Sequence, residues 1–141
     1  MRLMKQLRRL LRMDSGQGTS SQPISQPVPQ VTPEDVERIV RRDFRTDEYG
    51  TVTAMLSEYG TEKWHREPAR AQLAALKVAS GSVQKLRGCI DSAKRDYRDA
   101  LAVAEYPAYF KIGVRVRPLP EKERRQIIDE DWRQYEDWLK R

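Results

Sequence analysis

SVQKLRGCIDSAKRDYRDALAVAEY, residues Ser82 to Tyr106, is the stretch that decides the fold. Its apolar positions Val83, Leu86, Ile90, Ala93, Tyr97, Ala100 and Ala104 step alternately by three and four, the stripe of an amphipathic α-helix. The outer face mixes signs, with Lys85, Arg87, Asp91, Lys94, Arg95 and Asp99 among them and i,i+4 partners such as Asp91 and Arg95, as a solvated face does. The spacing predicts one long central helix whose small residues Ala93, Ala100 and Ala104 let a neighbour approach closely. Cys89 lies beside the stripe and reads as a core thiol, not a nucleophile. The heptad-like spacing raises a dimeric coiled coil, but amphipathic segments on both sides favour an intramolecular bundle, as monomer or homodimer.

Upstream, Gly81 and Ser82 form a stop and a start across a tight connection. The helix before them is predicted from about Glu67 to Ser80, opened by Pro68, with Ala69, Leu73 and Leu76 on one face. A further helix spans about Thr46 to Tyr59, with Val52, Met55, Leu56 and Tyr59 inward and Gly60 as its end. Gly50 is an awkward residue near its start. The first helix of the domain runs from Thr32 to about Arg45. Thr32 is its N-cap, Pro33 its first residue, and Glu34 and Asp35 suit the positive end of the dipole. Val31 and Val36 occupy the positions of a hydrophobic staple.

Residues 14–31 are built from Ser, Gln, Gly and Pro with almost nothing to bury, the composition of a disordered linker. Residues 1–13 return to helical spacing, as a short basic amphipathic N-terminal helix. Leu3, Met4, Leu7, Leu10 and Leu11 share one face, and Arg2, Lys5, Arg8, Arg9 and Arg12 surround it. That pattern suits contact with an anionic partner or a membrane surface, and its Arg-rich, acid-free character also fits a targeting segment.

Downstream of Pro107, YFKIGVRVRP alternates Ile112, Val114 and Val116 with Lys111, Arg115 and Arg117. This pattern predicts a short extended strap with one apolar and one basic face. The last helix opens near Pro120 and carries Ile128, Trp132, Tyr135 and Leu139 at steps of four, three and four, with Trp138 alongside. This Trp-rich stripe is expected to dock on the domain, and otherwise to offer a partner surface. Asp129, Glu130 and Asp131 are consecutive and diverge around a helix, so no metal site is read from them.

The chain has 141 residues, 38% hydrophobic and 34% charged, enough for one domain with a modest core. Its net charge of +6 is uneven, because Arg2, Lys5, Arg8, Arg9 and Arg12 face only Asp14 before residue 32. The folded part is therefore nearly neutral, which weakens any link from basicity to nucleic acid binding by the domain. One cysteine, no long apolar run and no uninterrupted signal-peptide core lead to a cytoplasmic expectation.

The whole reads as an all-α protein: a small antiparallel bundle of about five helices over residues 32–141, with one short extended segment. No phosphate loop or dinucleotide fingerprint is present, and one His with one Cys leaves no structural metal set, so no cofactor is expected. The leading functional reading is a non-enzymatic protein-protein interaction module. Its partner-binding residues are Trp64, His65, Arg66, Lys111, Arg115, Arg117 and Trp138. The first alternative is nucleic acid binding by the basic N-terminus and the 111–117 strap, with tyrosines stacking on bases. The second is a small enzyme or ligand pocket near Trp64, His65 and Glu67, in which a carboxylate would orient the histidine.

Overall fold

A computed structural model describes residues 26–112 and 119–141. The basic helix proposed for residues 1–13, most of the linker, and Arg115 and Arg117 of the strap lie outside them. Among the described residues the protein is all-helical, with seven α-helices and no strand. They are α1 (Pro33–Asp43), α2 (Tyr49–Ser57), α3 (Pro68–Ala79), α4 (Val83–Arg95), α5 (Tyr97–Glu105), α6 (Pro107–Ile112) and α7 (Glu121–Lys140). A 3-10 turn, Thr46–Glu48, leads into α2.

Local chemistry fixes the ends. Thr32 and Asp35 form a reciprocal capping box at α1, with the Thr32 N–H donating to the Asp35 carboxylate at 3.0 Å. The α3–α4 corner turns at Gly81, whose φ of +80° is left-handed. A Cβ there would stand 2.9 Å from the Asp43 carbonyl oxygen, so both conformation and close approach require glycine.

The hub is α3, which packs against α1, α4 and α5. Ala71, Leu73, Ala74, Ala75, Leu76 and Ala79 are all buried on it. Alanines on several faces bring neighbours close on more than one side, so α3 takes the central place expected for residues 82–106. The main core joins Ile39, Val52, Tyr59, Leu73, Leu86, Ile90 and Tyr135, and a smaller cluster of Ala74, Leu101 and Ala104 fills the α3–α5 seam.

Two expectations need correction. The predicted long helix is two, broken at Asp96, whose backbone is extended (φ −157°, ψ 98°). Its carboxylate accepts from the Arg98 N–H at 3.1 Å, so it ends α4 and caps α5, the competition with helical backbone that Asp favours. The break shifts the apolar phase, and α5 buries Leu101 and Ala104 while Ala100 is only half-buried. Second, Tyr109–Ile112, where the predicted strap begins, belongs to helix α6, and residues 113–117 of that strap lie outside the described residues. Asp131 of α7 accepts the backbone N–H groups of Ala108 (3.2 Å) and Tyr109 (2.9 Å), and this tertiary cap stabilises a turn the alternation alone would not form.

Ahead of α1, residues 27–31 already touch the domain. Pro29 is buried, Val31 packs on the core, and the Tyr106 hydroxyl donates to the Pro27 carbonyl at 2.5 Å. Two prolines with extended pre-proline neighbours are already close to this conformation before folding, so little ordering entropy opposes the contact.

Candidate functional site

The loop between α2 and α3 carries the densest chemistry. Gly60, at φ +113°, turns the chain sharply after Tyr59. The Tyr59 ring is buried, and its hydroxyl donates to the Arg66 carbonyl at 2.8 Å, closing the loop across its base. His65 stacks on that ring, with centroids 4.5 Å apart and planes within 15°. Its Nδ1 accepts the backbone N–H of Gly60 at 2.8 Å and of Glu62 at 3.3 Å. These bonds place the proton of the neutral imidazole on Nε2, which is buried without a hydrogen-bond partner. From the next helix, Gln72 donates to the Leu56 and Tyr59 carbonyls, satisfying orphan acceptors at the end of α2.

Glu67 closes the loop in left-handed backbone (φ 46°), although it precedes Pro68. That conformation costs about 1–3 kcal/mol and persists only where surroundings over-determine it. Here its carboxylate accepts from Arg70 at 2.8 Å, while Arg70 also grips Glu105 through two bonds of 2.6 and 2.7 Å. Glu105 is 2% exposed, and burial pushes its carboxyl above the usual range, with the Arg70 guanidinium pulling the other way.

This rigid loop presents Trp64. The indole stands nearly perpendicular to His65, with ring centroids 4.2 Å apart, and is 59% exposed. Beside it runs a shallow groove of about 680 Å³, bounded by Ser57 at the end of α2, its C-cap Glu58, Thr61 and Glu62 of the loop, and Lys94 of α4. Glu58 holds this wall together. Arg87 binds both its oxygens (2.9 and 2.5 Å) and Lys94 donates at 2.7 Å, so those cations, Arg87 first, hold the Glu58 carboxyl down to about 2.

The structure brings Trp64 and His65 together. Arg66 is exposed and adjoins them, but its carbonyl is what the loop uses. Lys111 is exposed on α6, far along the chain from that loop. Trp138 is 8% exposed, lies against Tyr135 and carries the Arg42 guanidinium 5.2 Å over its ring, so it packs within this chain's core. Glu58, Arg87, Lys94, Arg70 and Glu105 escaped the sequence reading, because partners 29 to 36 residues apart leave no local pattern. Asp131 did leave one, since it sits between Ile128 and Tyr135 on the buried stripe.

Among the described residues no group of three or more His, Cys, Asp or Glu side chains could hold a metal ion, and no helix is long and apolar enough to cross a membrane. No family model matches the chain, and neither does any curated protein or any solved structure.

Proposed function

We propose that this is a non-enzymatic protein-protein interaction module, a helical bundle whose partner contact is the Trp64 face. The observation that carries the reading is a tryptophan 59% exposed on a loop that is otherwise stitched down by stacking and backbone hydrogen bonds. Pre-ordering the loop reduces what association must later lose in conformational entropy, and exposed tryptophans are common anchors of binding energy. The groove beside it supplies a mixed rim of Glu58, Glu62 and Lys94 for polar contacts.

The histidine favours the same reading. The one lone pair that general-base chemistry would use is taken, because Nδ1 accepts the Gly60 and Glu62 N–H groups and Nε2 carries the proton. Glu67, the nearest carboxylate in sequence, is committed to Arg70.

The test places a photo-crosslinking side chain at Thr61 in the full chain and identifies what is captured in native lysate. One discrete protein is expected, with capture reduced at least ten-fold by Trp64→Ala and unchanged by substitution at exposed Lys122. Capture indifferent to Trp64→Ala, or a turnover abolished by His65→Ala in a folded protein, would overturn the reading.

A further inference from the structure

The segment Gln26-Pro27-Val28, followed by Pro29, lies along a second cleft, separate from the Trp64 face. That cleft is aromatic, lined by Tyr97, Tyr106, Tyr109 and Phe110 where α5 meets α6. Its occupant has a definite chemistry. Gln26 and Val28 each precede a proline and are thereby biased to extended backbone, and each proline fixes its own φ, so the segment favours a polyproline-type strand. Such a strand has no internal hydrogen bonds and leaves its carbonyls free. The Tyr106 hydroxyl takes one of them, the Pro27 carbonyl, at 2.5 Å, and Pro29 is buried one residue beyond Val28. Aromatic grooves that dock proline-rich strands combine these same elements, ring surface for the prolines and a donor for a strand carbonyl.

The fit is incomplete. About 300 Å³ of the cleft stays unfilled beside the strand, and Val28 remains 47% exposed. We infer that this cleft is a receptor for extended proline-rich segments of a partner protein, occupied here in cis by residues 26–29 of the same chain. The chain's own strand is a weak, tethered ligand, and its local concentration in the millimolar range masks the cleft until a better-filling segment displaces it.

The probe is the hexapeptide QPVPQV, the sequence of residues 26–31, titrated into the full chain and followed by fluorescence anisotropy. The variant Pro27→Ala/Pro29→Ala weakens the cis strand and leaves the α5 and α6 side of the cleft unaltered, and it is expected to bind the peptide at least ten-fold more tightly than the unaltered chain. Adding Tyr106→Phe in that background is expected to lower affinity about five-fold, the worth of one net hydrogen bond. The control peptide QAVAQV is expected to bind at least ten-fold more weakly than QPVPQV.

Equal binding of the two peptides, or no binding to a double variant whose near-ultraviolet circular dichroism is native, overturns the inference. If the double variant fails to fold, the unaltered chain decides. Excess QPVPQV must then shift the amide resonances of Gln26, Val28 and Gln30, and unmoved resonances at millimolar peptide overturn it. A concentration-dependent dimer abolished by the proline substitutions would replace the proposed partner with strand exchange between copies.

Discussion

At the scale of single residues, His65 and Glu105 show how buried polar groups are committed in this protein. Replacing His65 by Ala removes the acceptor for the Gly60 and Glu62 N–H groups and the face stacked on Tyr59. The expected loss is about 1–3 kcal/mol, because the loop retains partial access to water. Urea denaturation checks it, and a change below about 0.5 kcal/mol would mean the ring is incidental to the loop. Glu105 makes a sharper case. Removing Arg70 leaves its carboxylate buried and unpaired, so Arg70→Ala is expected to cost about 3–5 kcal/mol. The double replacement Arg70→Met/Glu105→Leu removes the charge together with its partner and is expected to recover most of that loss. A complete double-mutant cycle with no coupling between the two positions would show that the pair contributes only as separate groups.

At the scale of elements, what could be read from sequence was what local chemistry controls. The Thr32 cap, the Pro68 start and the Gly81 corner are signals confined to a few residues, and the structure places all three at helix boundaries. The break at Asp96 hid inside an unbroken three-four rhythm, because periodicity reports a phase and says nothing of a change in helix axis. The α6 helix was hidden for a different reason: its cap, Asp131, comes from another helix 22 residues away. Between α2 and α4, Glu58 joins elements that sequence spacing could not connect, and its partners hold its carboxyl low. Its folded-state value of about 2 lies below the ordinary unfolded value near 4.3, since Arg87 and then Lys94 favour the carboxylate. Its contribution is therefore present above that ordinary value and lost as pH falls toward about 2. The stability difference between the unaltered chain and Glu58→Gln should shrink over that window and, near pH 6, should also shrink in about 1 M salt. A difference independent of both would assign Glu58 a packing role instead.

At the scale of the whole molecule, the first helix and the last close on each other. Arg38 donates to the Leu139 carbonyl and Arg42 to the Trp138 carbonyl, both at 2.6 Å, so two arginines of α1 cap the C-terminal end of α7. Both guanidinium groups therefore sit at the negative end of another helix's dipole, a placement that no spacing within α1 announces. The candidate site was legible in the same partial way. Trp64 and His65 stood out by composition, but the stack that makes the loop rigid depends on Tyr59, which the pattern assigned simply to the core. The α1–α7 clasp joins chain segments about a hundred residues apart, so it reports on the fold as one cooperative unit. Total stability for a chain of this size is about 5–15 kcal/mol, against which Trp138→Ala should cost about 3–5 kcal/mol through lost burial and the cavity left behind. Arg42→Ala should cost about 1–3 kcal/mol, because it uncaps a carbonyl and uncovers the indole. The two side chains share one contact, so the double variant is expected to lose less than the two losses added together. Equilibrium denaturation followed in parallel by tryptophan fluorescence and far-ultraviolet circular dichroism tests this directly. Coincident transitions shifted together would show that the clasp closes a single cooperative core, whereas an early fluorescence transition would mean that α7 undocks on its own.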